Sequence, residues 1–211
     1  MFPVSDSLMQ TDRERVETLC GKQIIPAPLT VPPAHVAARF GLRGWTDADV
    51  PIYRAMLDDP ELWRFMPEDY PGAITEDLAR SFIAVSREAS HHKVRAVTCQ
   101  GEIIGQVRMH WNTERTPPQT GEISYWLGRA HWGQGSAAPM IALFTWRCLS
   151  TYPALSCITA RVHCDNMRSA KVLQRLGWAE SGTQGDWIIF ARDRAAGVDW
   201  TCLPQGDALS T

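Results

Sequence analysis

The chain has 211 residues, 45% of them hydrophobic, which is enough to bury one sizeable core and favours a single domain with a tail or two. Its 21 lysines and arginines stand against 23 aspartates and glutamates, a formal net charge of −2 with the basic residues scattered, and this argues against a nucleic-acid partner. No apolar run approaches the roughly 18 residues that span a bilayer, and residues 1–10 lack the basic start and apolar stretch of a signal peptide, so no membrane association and a cytoplasmic location are expected.

Residues 1–37 are rich in proline and polar residues, and Pro26, Pro28, Pro32 and Pro33 spoil any long helix or central strand there. Only residues 12–20 could form a short helix, so 1–37 are read as an N-terminal extension and the domain proper as 38–194. A short strand over 39–44 leads to Thr46, a good N-cap, with Asp47 and Asp49 in the first turn of a helix over 47–57. After breaks at Asp59-Pro60 and Met66-Pro67, Leu78, Phe82 and Val85 recur at helical spacing within a second helix, 74–89.

Residues 94–99 and 103–111 are β-rich runs separated by Gln100-Gly101-Glu102, a hairpin signature. A loop over 112–120 carries Pro117 and Pro118 and precedes a strand over 122–127. A glycine-rich turn, 128–135, opens a helix over 137–150, with Pro139 in the first turn, where a missing N–H costs nothing. A strand over 156–163 follows; Asn166 then caps a helix over 167–176, and Gly177 sits where a left-handed C-cap is expected. Strands over 178–181 and 187–192 close the sheet, and the C-terminal tail, 195–211, reads as irregular.

Six cysteines, Cys20, Cys99, Cys148, Cys157, Cys164 and Cys202, contain no Cys-x-x-Cys pair and are spaced too irregularly for a zinc site or a disulfide framework. They are read as reduced thiols. His163 beside Cys164, and the pair His91 and His92, lack a second cluster at ligand spacing, so no metal is expected.

The most informative segment is Tyr125-Trp126-Leu127-Gly128-Arg129-Ala130-His131-Trp132-Gly133-Gln134-Gly135-Ser136-Ala137, a strand that passes through a glycine-rich turn into a helix start. Glycines let the backbone turn without Cβ clashes, which leaves successive N–H groups and the positive helix end aimed at one point, a place for a diphosphate. The same glycine chemistry also serves ordinary turns. It is not a Walker loop, because no Gly-Lys-Ser/Thr follows.

The run 42–192 resembles the GNAT acetyltransferase superfamily, particularly its branch of ribosomal-protein N-terminal acetyltransferases. Leu42-Arg43-Gly44-Trp45-Thr46-Asp47-Ala48-Asp49 looks like the opening strand and helix start, and Glu122-Ile123-Ser124-Tyr125-Trp126-Leu127 like the fourth strand. Trp132-Gly133-Gln134-Gly135-Ser136-Ala137 matches the acyl-CoA loop. The more specific match is Asn166-Met167-Arg168-Ser169-Ala170-Lys171-Val172-Leu173-Gln174-Arg175-Leu176-Gly177-Trp178, similar to the last core helix and its exit into a strand. Two positions depart from the pattern: the first loop position is Trp132 rather than the Gln or Arg frequent across the superfamily, and Pro139 replaces an acidic residue common in relatives.

The resemblance implies an α/β (α+β) fold with a mixed, twisted, mostly antiparallel sheet, helices on both faces, and central strands that splay to admit the pantetheine arm of acetyl-CoA. By the same resemblance Trp126, Leu127, Gly128, Trp132, Gly133, Gln134, Gly135, Ser136 and Ala137 contact that co-substrate, as do Asn166, Arg168, Ser169 and Lys171. Asn166 has a second reading as a helix cap, and Arg168 and Lys171 as a solvated charged face.

Amine acetylation needs a neutral amine and a route for its proton. Strand alternation puts Glu122, Ser124 and Trp126 on one face, which makes Glu122 the candidate base; its bland alternative is a solvated strand-end glutamate. Ser169 occupies the position where relatives place a hydroxyl near the departing sulfur, or it bonds back to its own helix. Tyr125 is a second proton-donor candidate, His110, His131 and Trp111 are read as packing or rim groups, and the nine tryptophans mostly as core.

The expected activity is acetyl-CoA-dependent N-acetyl transfer to a primary amine, on a protein N-terminus or a small molecule, by direct attack on the thioester. The alternatives are a non-catalytic acyl-CoA sensor or interaction module, and acetylation of aminoacyl-tRNA, which would call for a basic footprint. The partners expected are acetyl-CoA and an amine acceptor, with the chain acting as a monomer or homodimer.

Overall fold

The computed structural model describes residues 29–88, 90–111 and 119–203. The short helix expected over 12–20 and most of the loop expected over 112–120 lie outside them. In chain order the elements begin with α1 (Ala34–Arg39), β1 (Phe40–Arg43), a 3₁₀ turn (Asp47–Asp49), α2 (Val50–Leu57), α3 (Pro60–Trp63) and α4 (Glu76–Glu88). β2 (His92–Cys99), β3 (Glu102–His110) and β4 (Thr120–Leu127) follow, then a 3₁₀ turn (Arg129–His131) and α5 (Ala137–Thr151). The chain continues through β5 (Cys157–His163), α6 (Met167–Arg175), β6 (Ala179–Gln184) and β7 (Trp187–Asp193).

The strands form one seven-stranded sheet in the order β1-β2-β3-β4-β5-β7-β6. Every neighbouring pair is antiparallel except β4 and β5, which run parallel. The β2–β3 turn at Gln100 (φ 52°) and Gly101 (φ 90°) has the two left-handed residues of a tight hairpin, a conformation that glycine adopts without strain.

Helices cover both faces, each over its own core. On one face α5 and α6 pack with Val107, Met109, Ile123, Ile158, Val162 and Phe190. α5 is buried along most of its length, from Ala138 to Leu149, because apolar residues surround it on nearly every side. On the other face α2 and α4 bury Val50, Tyr53, Leu57, Ala79 and Ile83 against Trp45, Val94, Ala96 and Ile103.

Local chemistry fixes the entry to α2. The helix expected from residue 47 starts instead as a 3₁₀ turn, and the α-helical part begins at Val50 with Pro51 in its first turn, where proline removes no needed donor. The Thr46 N–H and hydroxyl both donate to the Asp49 carboxylate at 2.8 Å, and Arg43 grips the same carboxylate with two N–H groups at 2.7 and 2.8 Å. That cation, together with the Thr46 bonds, holds Asp49 well below the usual carboxylate range, at about 2.

Both ends of the described residues join the main core. α1 spans the expected boundary near residue 38, and Val36 is buried. In the irregular segment after Ala195, Val198, Trp200 and Leu203 are buried, and the Trp200 indole donates to the Thr30 carbonyl at 3.1 Å. Buried Arg192 on β7 donates to the carbonyls of Leu176, Ala196 and Gly197, and Arg194 donates to those of Leu149, Tyr152 and Leu155. These guanidinium groups satisfy carbonyls at the ends of α6 and α5 that have no helical partner.

Candidate active site

The parallel β4–β5 ladder is short. It pairs Thr120 with Cys157 through Ile123 with Ala160 and stops there, although both strands continue. On its other edge β4 remains paired with β3 up to Leu127. The sheet therefore opens between residues 124–127 of β4 and 161–163 of β5, and backbone groups in this gap need partners from outside the ladder. Gly105 on β3 permits the tight approach on the closed side, since a Cβ there would lie 2.2 Å from the Trp126 carbonyl oxygen.

At the end of β4 the chain enters the glycine-rich turn. Gly128 abuts Met56, the Trp132 indole donates to the Leu127 carbonyl at 2.7 Å, and the Gln134 amide donates to the Ala130 carbonyl at 2.7 Å. Gly133 (φ 74°) and Gly135 (φ 73°) are both left-handed, and a Cβ at Gly133 would meet nothing within 4 Å. Ser136, buried and making no side-chain cap bond, and Ala137 begin α5. Exposed glycine N–H groups leading into a 15-residue helix fit the diphosphate of acetyl-CoA.

Across the gap stands α6. Asn166 accepts a hydrogen bond from the Ser169 N–H at 3.2 Å and so caps this helix. Ser169 Oγ and Tyr125 Oη share a 2.6 Å hydrogen bond in which either hydroxyl can donate, which ties α6 to the splayed half of β4. Burial pushes the Tyr125 phenol up to about 12, so it stays protonated at physiological pH. Arg168 and Lys171 are exposed on the outer side of α6.

Glu122, Ser124 and Trp126 lie on the α2/α4 side of the sheet. Trp126 stacks on Trp45 at 6.4 Å and meets Tyr53 edge-on at 5.8 Å, while Leu127 and Tyr125 pack against the opposite core. Glu122 is not a free strand-end carboxylate, because Arg161 Nε on β5 donates to its two oxygens at 3.0 and 3.1 Å. His110 is the cross-strand partner of Glu122. Burial lowers the His110 imidazole to about 4, and nearby Glu122 opposes that shift only in part, so His110 is neutral near pH 7.

Sequence reasoning did not single out Arg161; His110, read there as a packing or rim group, is buried beside Glu122. The alternation Thr159, Arg161, His163 was a usable signal, but the identity of the neighbouring strand was not. His163 is flanked by Phe65 at 5.6 Å and Trp187 at 5.5 Å. Trp45, Trp178 and Trp200 are buried core residues; Trp63, Trp111, Trp126, Trp132 and Trp146 are half-buried against the cores.

The described residues bring one candidate metal-ligand group together, His163, Cys164 and Asp165, with ligand atoms within 4.8 Å of one another. They are consecutive and Cys164 and Asp165 are exposed, an arrangement common without an ion. Among the described residues Cys99, Cys148, Cys157, Cys164 and Cys202 are free thiols, and no helix is long and apolar enough to cross a membrane.

By sequence, no curated protein matches the chain. Among solved structures it is similar to RimL, a ribosomal L7/L12 alpha-N-protein acetyltransferase in complex with coenzyme A, at 17% identity and a TM-score of 0.64, covering 76% of this chain and 97% of that one. It is similar to RimJ of Mycobacterium smegmatis in complex with CoA-disulfide at 22% identity and a TM-score of 0.63, covering 81% and 90%. Spermidine N-acetyltransferase from Vibrio cholerae, in complex with CoA and spermine, matches at 15% identity and 0.63, covering 74% and 96%. A family model described as the acetyltransferase (GNAT) domain matches residues 39–179, which contain the splayed strands, the glycine turn and α6. The chain therefore belongs to the GNAT acetyltransferase family, as an acetyl-CoA-dependent N-acetyltransferase.

Proposed function

We propose that this enzyme acetylates a primary amine, on a protein N-terminus or a small molecule, by direct attack of the amine on the thioester held in the gap between β4 and β5. Acetyl-CoA supplies the activated acetyl group, and the protein positions it and moves the protons. Residues 124–127 offer unpaired strand edge to the pantetheine amides, as a sheet edge does to an added strand. The turn from Gly128 to Ala137, including Trp132, Gly133, Gln134, Gly135 and Ser136, receives the diphosphate, with Arg168 and Lys171 as outer cationic contacts.

The observation that carries this reading is the Tyr125–Ser169 hydrogen bond across the gap. A phenol that stays protonated to about 12 can donate through or beside Ser169 to the departing sulfur. On the other side of β4, Glu122 is oriented by Arg161. A carboxylate offers about four lone-pair sites, and the two Arg161 contacts leave capacity to accept the amine proton, directly or through water.

The test is an acetyl-CoA turnover screen with mass readout of products, against N-terminal peptides, amino acids, polyamines and aminoglycosides. Ser169→Ala and Tyr125→Phe should each lower turnover by about tenfold or more while changing CoA affinity little, because a bond to developing negative charge matters chiefly in the transition state. Full turnover in both variants would make the pair structural.

A further inference from the structure

On the sheet face that carries Glu122, strand register lays polar side chains in rows across the gap. Arg108 of β3 pairs with Ser124 of β4, and His110 with Glu122, which in turn pairs with Thr159 of β5. Arg161 reaches Glu122 from β5, two residues beyond Thr159. Arg108, Arg161 and Glu122 all act electrostatically on the His110 ring, so the four side chains form one cluster.

Its charge does not balance. Arg161 and Glu122 neutralise each other, and His110 is neutral near pH 7. Arg108 remains: its Nε is buried with no hydrogen-bond partner, and among the described residues no carboxylate forms an ion pair with it. His110 Nδ1 is likewise buried and unsatisfied. Arg108 is half-buried, so its charge still meets solvent, but a guanidinium Nε and a ring nitrogen buried without partners are costly, and an acceptor atom brought by a ligand would satisfy the Nε. Both stand one strand away from the gap, beside Ser124 and Glu122.

We propose that the acceptor amine carries an oxyanion, a carboxylate or a phosphate, and that Arg108 is the specificity residue that receives it, with His110 at its side. The inference deepens the acetylation reading and rests on it for bringing the acceptor to this face. A guanidinium holds two oxygens of a carboxylate or a phosphate with two parallel bonds, which sets the distance between the anionic group and the amine and aims the amine toward Glu122. The same cation repels a polyamine, which brings only positive charge.

Matched acceptor pairs test this: an α-amino acid against its amide, a tripeptide amide with Asp against Asn in second position, and phosphoethanolamine against ethanolamine. Binding is measured by calorimetry to the protein saturated with CoA, and kcat/KM with acetyl-CoA. In at least one pair the anionic member should bind at least about tenfold tighter, the size expected of a hydrogen bond to a charged group, and the pair that responds identifies the source of the oxyanion. Arg108→Gln should reduce that preference below about threefold, and Arg108→Lys should restore part of it, since lysine keeps the charge but loses the fork.

Equal binding of both members in all three pairs, or an Arg108→Gln protein that melts like wild type and keeps the preference, would overturn the proposal. The wild-type comparison decides alone if Arg108→Gln does not fold. Because binding is read on the CoA complex, anion preference without any acetyl transfer would defeat the acetylation reading and leave the oxyanion site standing.

Discussion

At the residue scale the proposed base is Glu122, which Arg161 and His110 flank from the two neighbouring strands. Arg161 fixes its orientation through two contacts, and His110 sits opposite it as a neutral, buried ring. Glu122→Gln keeps the shape and loses the proton acceptor, so turnover at pH 7 should fall by about 10²–10⁴, the usual worth of general-base assistance. For an α-amino acceptor, whose pKa is about 7.7–8.0, the variant should recover as pH rises toward 10, because the amine then deprotonates unaided. Curves for wild type and variant that coincide from pH 6 to 10 would remove Glu122 from the reaction. His110 gives a separate signature in stability. Its folded pKa of about 4 lies below the unfolded value of about 6.5, so between those limits the unfolded chain binds more protons and stability falls as pH falls. His110→Asn should flatten that slope in urea titrations at pH 4.5 and 7; an unchanged slope would mean the ring is not held neutral.

At the element scale, two short segments do work that their length would not suggest. The turn into α5 holds Gly133 and Gly135 at positive φ, and a β-branched residue there is strained. Saturating wild-type protein with acetyl-CoA at 100 times its dissociation constant should add about 2.7 kcal/mol of stability. Gly135→Val should lose most of that ligand-induced rise in melting temperature while the free protein still folds, and an undiminished rise would refute the loop assignment. The second segment is the cap on α2, where Arg43, Thr46 and Asp49 converge. Asp49 is depressed to about 2, so its contribution is fully present above the unfolded value near 3.9 and is lost as pH falls through about 2. After allowance for the half-exposed Arg43, Asp49→Asn should cost about 1–2 kcal/mol at pH 7 and much less at pH 2. Denaturant melts at both pH values check this.

On the scale of the whole molecule, the two ends of the described chain close over one core. Trp200 is buried with Val198 and Leu203, and its indole bonds to Thr30, so the segments flanking the GNAT match contribute to its packing. Trp200→Ala should therefore destabilise the protein by about 3 kcal/mol, the lower range for a large buried aromatic. Because the Trp200 indole bonds to Thr30 and its ring fills the main core, the loss should appear in the melting temperature and leave the KM for acetyl-CoA as it was. A melting temperature within experimental error of wild type would show that the tail is dispensable for the fold.

Sequence by itself determined the order of the seven strands and of α2, α4, α5 and α6 among them, though not the four-residue α3, because apolar periodicity, glycine turns and helix caps are local and act over a few residues. It also determined the glycine turn, the Asn166 cap and the placing of Glu122 and Trp126 on one face, since strand alternation needs no knowledge of neighbours. Tertiary structure decided what lies beside each of these. The 3₁₀ start at Asp47 goes with bonds from Arg43 and Thr46 to Asp49 that are local, whereas the burial of Trp200 goes with its contact to Thr30, 170 residues away. Likewise the Tyr125–Ser169 bond spans 44 residues and the Arg161–Glu122 pair 39. Which side chain meets which across a sheet depends on strand order and register, and those are set by the packing of two cores rather than by any local stretch of chain.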